Sequence, residues 1–242
     1  MKLSAYKVLT FGCYGTLIDW ESGILAALAG WRVRSAVVGA DRDILEAFGR
    51  HEAAEQSANP AMLYPEILAR VAVHIGDDYG IAIGPADAKK FGQSLADWPA
   101  FADSADALHV LKQHFKLVIL SNVDRHSFAA GNGKLGVDFD AIYTAQDIGF
   151  YKPDRRNFVY LLERLAGLRY AKTDILHVAQ SKFHDHVPAK AIGLTTAWID
   201  RPHPAGGQGA TRQTTIEPDA RFESLAELVN THRRELNQGI GL

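Results

Sequence analysis

The sequence predicts an α/β fold: a Rossmann-like parallel sheet core with a helical cap domain inserted after the first strand. Three observations point there. Short apolar runs bounded by polar turns recur at Val8 to Phe11, Leu117 to Leu120, Ala141 to Tyr143, Ile175 to Ala179 and Thr195 to Ile199. Such runs suit strands buried on both faces. Helix-periodic segments alternate with them, at Ser104 to Phe115, Arg156 to Leu165 and Val187 to Ile192. That alternation is the pattern of a parallel sheet covered by helices. Residues 19–98 differ, with helical patterns and few strands.

Each element has its own signal. Val8 to Phe11 is the first strand, entered almost at once. Within the insertion, Asp41 is a plausible N-cap for a helix over Ile44 to Ser57. Pro65 sits inside the first turn of a helix running to about Asp78, where proline is tolerated. Pro85 to Asp87 opens another helix. The expected division is a core of residues 1–18 and 99–242 and a cap of residues 19–98. The cap lies over the C-terminal strand ends, where ligands of open α/β sheets bind. Arg201 to Arg221, rich in Gly, Pro and Thr, reads as a long mobile surface loop. Glu223 to Leu236 closes the chain as an amphipathic helix.

Composition narrows the function classes. The chain has 242 residues, enough to bury a substantial core, and a formal charge of -2. A near-neutral balance carries no nucleic-acid footprint. Its one cysteine, Cys13, excludes an intramolecular disulfide framework. No apolar run reaches membrane-spanning length, and the N-terminus shows no signal-peptide pattern. The expectation is a soluble cytoplasmic protein with no nucleic-acid or membrane partner.

Four segments carry the candidate chemistry. The first strand ends in Phe11-Gly12-Cys13-Tyr14-Gly15-Thr16. Amides around Cys13 and Tyr14 in such a turn can cradle an anion. By itself Gly12 is an ordinary strand-ending glycine. Ser121-Asn122 follows the second strand, and alone reads equally well as a helix N-cap. Lys152-Pro153-Asp154 opens a helix. Gln180-Ser181-Lys182-Phe183-His184-Asp185-His186 follows the fourth strand. His184 and His186 flanking Asp185 hint at a metal site, but read better as helix-start residues beside a buried carboxylate.

In their order these segments resemble the four motifs of the haloacid dehalogenase superfamily. The text Leu17 to Glu21 and His184 to Ala189 resembles its (S)-2-haloacid dehalogenase type, and also the related L-azetidine-2-carboxylate hydrolase. The resemblance implies an Asp nucleophile at position 12, where this chain has Gly12. It implies attack on carbon, an enzyme ester, and hydrolysis of that ester by water held by Asp185, Lys152 and Ser181. With no side chain at position 12, Asp185 is the remaining counter-charge for Lys152. Turnover by the ester route is then expected to be negligible, while binding survives.

Substrate contacts implied are Cys13, Tyr14, Thr16, Trp20, Ser121 and Asn122, with Tyr64, Phe91 and Trp98 adding aromatic lining. Arg50 has two readings: a group holding a halide or substrate carboxylate, or a surface arginine paired with Glu46 one turn earlier. Tyr14 stands where the superfamily's phosphatases have a second Asp; a phenol titrating near ~10 cannot replace that acid. The resemblance implies no cofactor and no metal, a small carboxylate substrate, and a homodimer. A phosphatase and a non-catalytic carboxylate-binding protein are the alternatives.

Overall fold

The computed structural model describes residues 1–35 and 40–239. Strands β1 (Val8–Phe11), β2 (Lys116–Ser121), β3 (Ala141–Thr144), β4 (Ile175–Ala179), β5 (Thr195–Ile199) and β6 (Ala220–Phe222) form one sheet in the order β3-β2-β1-β4-β5-β6. Every pairing is parallel. The sequence pattern anticipated five of these strands; β6 is too short to stand out in the polar text around it.

Parallel strands need covered faces. Leu9, Phe11, Leu117, Ile119, Leu176 and Val178 point to one face. They pack with Leu108 and Leu111 of α5 (Ser104–Lys112) and Leu225 and Leu228 of α10 (Leu225–Gly239). Val8, Val118, Leu120 and Ile175 point to the other. They meet Phe158, Leu161 and Leu165 of α8 (Arg156–Gly167) and Ala189 of α9 (Val187–Ala191). The strict alternation along each strand divides one sheet between two apolar layers.

Between β1 and α5 the described residues form four α-helices: α1 (Trp20–Ser35), α2 (Asp41–Ala58), α3 (Tyr64–Asp78) and α4 (Pro85–Gly92). The two chain crossings into and out of this segment lie side by side. The Asp19 amide donates to the Pro99 carbonyl at 2.8 Å, and the Phe101 amide to the Leu17 carbonyl at 3.1 Å. Asp41 is the first residue of α2 rather than its cap. Ala40 holds the cap position and supplies no side-chain bond. Pro65 and Pro85 both sit in first turns, where the missing N–H costs nothing.

Residues 201–219 are not a free surface loop. This strap crosses from β5 over α2 and returns to β6. Ala210 is fully buried, and its amide donates to Glu21 Oε1 at 2.9 Å. Thr211 Oγ1 donates to Gln180 Oε1 at 3.3 Å. Composition pointed to mobility because glycine is permissive, but here glycine permits close approach. Gly49 of α2 lies so near the strap that a Cβ there would collide with the Ala210 carbonyl. Among the described residues, no helix is long and apolar enough to cross a membrane.

Substituting Gly49→Ala should therefore push the strap off α2. Overpacking of this kind costs about 1–3 kcal/mol, to be read as a lower urea midpoint. Hydrogen exchange at the Ala210 and Thr211 amides should rise with it. Unchanged exchange there would show that the strap does not depend on this contact.

Candidate active site

β1 lies at the centre of the sheet. Its neighbours are β2, the next strand in the chain, on one side and β4, reached from β3 at the sheet edge, on the other. Strand order therefore reverses at β1, and the loops leaving β1 and β4 part company at their C-terminal ends. Such a switch point opens a crevice. Gly12 follows β1, Ser121 ends β2, and Gln180 and Ser181 follow β4. A small cavity opens there beneath α2, lined by Gly12, Cys13, Tyr14, Trp20, Ser121 and Asn122, by Lys152, Ser181, His184 and Asp185, and from the cap by Glu52 and Tyr64. The cavity is small, about 40 Å³.

A buried ion pair forms the floor. Lys152 Nζ donates to Asp185 Oδ1 at 2.6 Å and to the Leu120 carbonyl at 2.8 Å. His177 Nε2 lies 2.9 Å from the same Oδ1, and its Nδ1 lies 2.8 Å from Thr10 Oγ1. With Nε2–H donating to the carboxylate, Nδ1 accepts from the threonine hydroxyl, so one tautomer satisfies both bonds. Burial pushes the Asp185 carboxyl up, but the Lys152 charge and the His177 hydrogen bond outweigh it and hold the group well below the usual range. Burial keeps His177 neutral by lowering its pKa.

Gly12 faces this array. A Cβ built on Gly12 would lie 3.3 Å from both Asp185 carboxylate oxygens and from the Ala179 Cβ. Asp185 thus stands at the edge of the space that a side chain at position 12 would enter. Cys13 cannot substitute as the nucleophile: burial pushes its thiol up to about 12, so it carries no useful thiolate near neutrality. Tyr14 packs edge-on against Trp98 with ring centroids 5.7 Å apart. Burial holds its phenol well above the ordinary value.

The neighbouring polar residues orient this floor. Asn122 accepts from the Lys152 amide at 2.7 Å and donates to the Lys152 carbonyl at 3.0 Å, fixing the backbone beneath the ammonium. Ser181 accepts from the His184 amide at 3.0 Å and contacts His184 Nδ1 at 3.1 Å. It caps the π-helical turn Lys182–His186 that presents Asp185.

Several expected contacts fall elsewhere. Thr16 lies outside the cavity lining; its hydroxyl accepts from the Gln180 amide at 2.9 Å and clasps the loops after β1 and β4 together. Arg50 faces away from the cavity and pairs on the surface with Asp78 at 2.9 Å, because its position on α2 points outward. Its ion-pair partner is Asp78 rather than Glu46, the partner expected one turn earlier. Phe91 and Trp98 are buried in the cap: Phe91 packs with Trp31 and Phe48. His184 and His186 diverge, His186 Nε2 lying 2.9 Å from the Ala179 carbonyl.

Two residues escaped the sequence reading. His177 sits inside a buried strand, where it passes for an ordinary core position. Glu52 lies on the apolar stripe of α2, one turn after Phe48. It is 2% exposed. Tyr64 Oη donates to Glu52 Oε1 at 2.5 Å and Gln56 Nε2 donates at 3.1 Å, while Oε2 has no hydrogen-bond partner among the described residues. Burial raises this carboxyl to about 7, against the opposing hydrogen bonds from Tyr64 and Gln56. A carboxylate on an apolar helix face was the available signal.

The sequence profile of haloacid dehalogenase-like hydrolases matches residues 6–178. The chain belongs to this family. It is 24% identical over 236 residues to an (S)-2-haloacid dehalogenase of Pseudomonas putida, covering 92% of this chain and 94% of that one. Its fold matches the L-2-haloacid dehalogenase of Xanthobacter autotrophicus solved with chloropropionic acid covalently bound, with a TM-score of 0.77 at 20% identity over 94% of this chain and 98% of that chain. A defluorinating L-2-haloacid dehalogenase gives the same TM-score at 18% identity, over 96% and 98%.

Two outcomes follow from the buried floor. Lys152→Met strands Asp185 without its cation and should cost about 3–5 kcal/mol. The double variant Lys152→Met/Asp185→Asn should lose less. Urea denaturation of the three proteins decides it, and equal loss would sink the account.

Acid should weaken the fold through the adjacent histidines. Burial lowers His184 and His186 to about 4. The unfolded chain takes up these protons as pH falls below about 6.5, before the native state does. Stability is fully present above that range and is lost toward about pH 4. Melts at stepped pH should show this slope, reduced in His184→Gln.

Proposed function

We propose that the cavity takes a small 2-substituted carboxylate, in the manner of the (S)-2-haloacid dehalogenases, and that Gly12 withholds the covalent step. The observation that supports this is the Lys152–Asp185–His177 array closing around a position with no nucleophile. In this reading the strand-end amides near Cys13 and Tyr14, with Ser121, hold the substrate carboxylate. An Asp at position 12 would attack the electrophilic carbon and expel the leaving group, giving an ester. Water directed by Asp185 would then cleave that ester at its carbonyl carbon. Lys152 would keep the attacking carboxylate ionised. The chain as it stands binds and does not form the ester. A homodimer and a cytoplasmic setting belong to the same proposal.

The leaving group is a halide or, in a second reading, a ring amine as in L-azetidine-2-carboxylate. The Glu52 carboxyl in the cavity favours the second, because a halide leaving beside a carboxylate gains nothing from it. The phosphatase alternative loses ground at Tyr14: its phenol is neither a ready acid nor a carboxylate ligand for a hard cation.

Gly12→Asp tests this directly. Its Cβ requires Asp185 to give by only a few tenths of an ångström. The variant should release chloride from (S)-2-chloropropionate or ring-opened product from L-azetidine-2-carboxylate, with an ester adduct in the intact mass. The parent chain should show neither. Ester formation by the parent, or a folded variant inert toward both compounds, would defeat the proposal.

A further inference from the structure

The cap contributes a carboxyl group where a simple halocarboxylate has nothing to offer it. Glu52 lines the same cavity as the Lys152–Asp185 floor. Its Oε1 is saturated by Tyr64 and Gln56, and Gln56 is itself braced by Asn122 at 3.3 Å. Those donors fix the carboxyl plane and leave Oε2 unpartnered in a 2% exposed side chain. A buried polar atom without a partner is costly, so an oriented one beside a cavity marks a place for a ligand group.

The charges select that group. Lys152 is already matched by Asp185, and among the described residues that line the cavity no further lysine or arginine balances Glu52. A ligand that brings only a carboxylate adds a second negative charge. A ligand that also brings an ammonium supplies the missing positive one, in a buried setting where such a pair is strong.

We infer that Glu52 is a specificity-determining residue that binds a substrate ammonium, so that the preferred ligands are small amino- or imino-carboxylates. This rests on the small-carboxylate reading above and narrows it. Burial raises the Glu52 carboxyl to about 7, so a pairing ammonium draws out the ionised form with little cost.

Calorimetric titration of the intact parent chain tests it with L-azetidine-2-carboxylate, cyclobutanecarboxylate and (S)-2-chloropropionate. The first two share ring size and carboxylate and differ in the ring nitrogen. The azetidine should bind at least tenfold more tightly than the carbocycle, a comparison that needs no variant. Glu52→Gln should erase that preference by weakening azetidine binding at least tenfold, with no loss of affinity for cyclobutanecarboxylate.

Equal binding of the two rings overturns the inference alone, provided either binds. So does an equal loss for both in Glu52→Gln, which would mark Glu52 as merely structural. If none of the three compounds binds, the small-carboxylate reading falls and takes this inference with it.

Discussion

The Lys152–Asp185 ion pair is the constraint on which the site depends. Both side chains are almost fully buried, and neither tolerates burial without the other. The pair joins the segment before α8 to the turn after β4. His177 and Thr10 extend it into the sheet, and the Leu120 carbonyl ties it to the end of β2. Three strands and one helix entry are therefore tied together by one network. A buried network is worth keeping only when its members are satisfied, and the neutral His177 satisfies the Asp185 oxygen that Lys152 already shares.

Gly12 changes what this network does without dismantling it. A nucleophilic Asp at that position would share the Lys152 cation with Asp185. Without it, Asp185 has Lys152 to itself and stands 3.3 Å from where the Cβ would be, slightly closer than ordinary van der Waals contact. The array therefore persists as structure in the absence of the group it surrounds. That separates two properties often treated as one: the geometry of the floor and the capacity for covalent chemistry. It also explains why Cys13, next along the chain, does not take over, since the same burial that protects the ion pair keeps its thiol protonated.

Much of the fold was legible because its signals are local. Continuous apolar runs mark β1, β2 and β4, and the site segments follow those strands in register with a parallel topology. Lys152 and Asp185 could be paired from sequence because removing one partner left a buried cation needing another. Other features depend on which way a side chain points in three dimensions. Arg50 and Glu52 are two residues apart on α2, yet one meets Asp78 on the surface and the other enters the cavity. Phase on the helix decides this: Glu52 continues the Leu45 and Phe48 stripe and Arg50 does not. The strap failed the compositional reading for a different reason. Its glycines serve close packing on α2 rather than freedom.

The strap and the cap carboxyl share a helix, and that places recognition under tertiary control. Strap residues 207–211 pack against the Glu46 and Gly49 side of α2, with the Gln208 amide donating to Glu46 at 3.4 Å. Glu52 and Gln56 lie one and two turns further along the same helix. Thr211 meanwhile bonds Gln180, whose own amide is held by Thr16 in the loop after β1. The strap thus spans from the core loops that shape the floor to the helix that brings in Glu52. A displacement of α2 beneath the strap would therefore carry Glu52 with it. Selectivity for the ligand's charge would then be fixed as much by Ala210 and Gly49, which touch no ligand, as by the carboxyl itself.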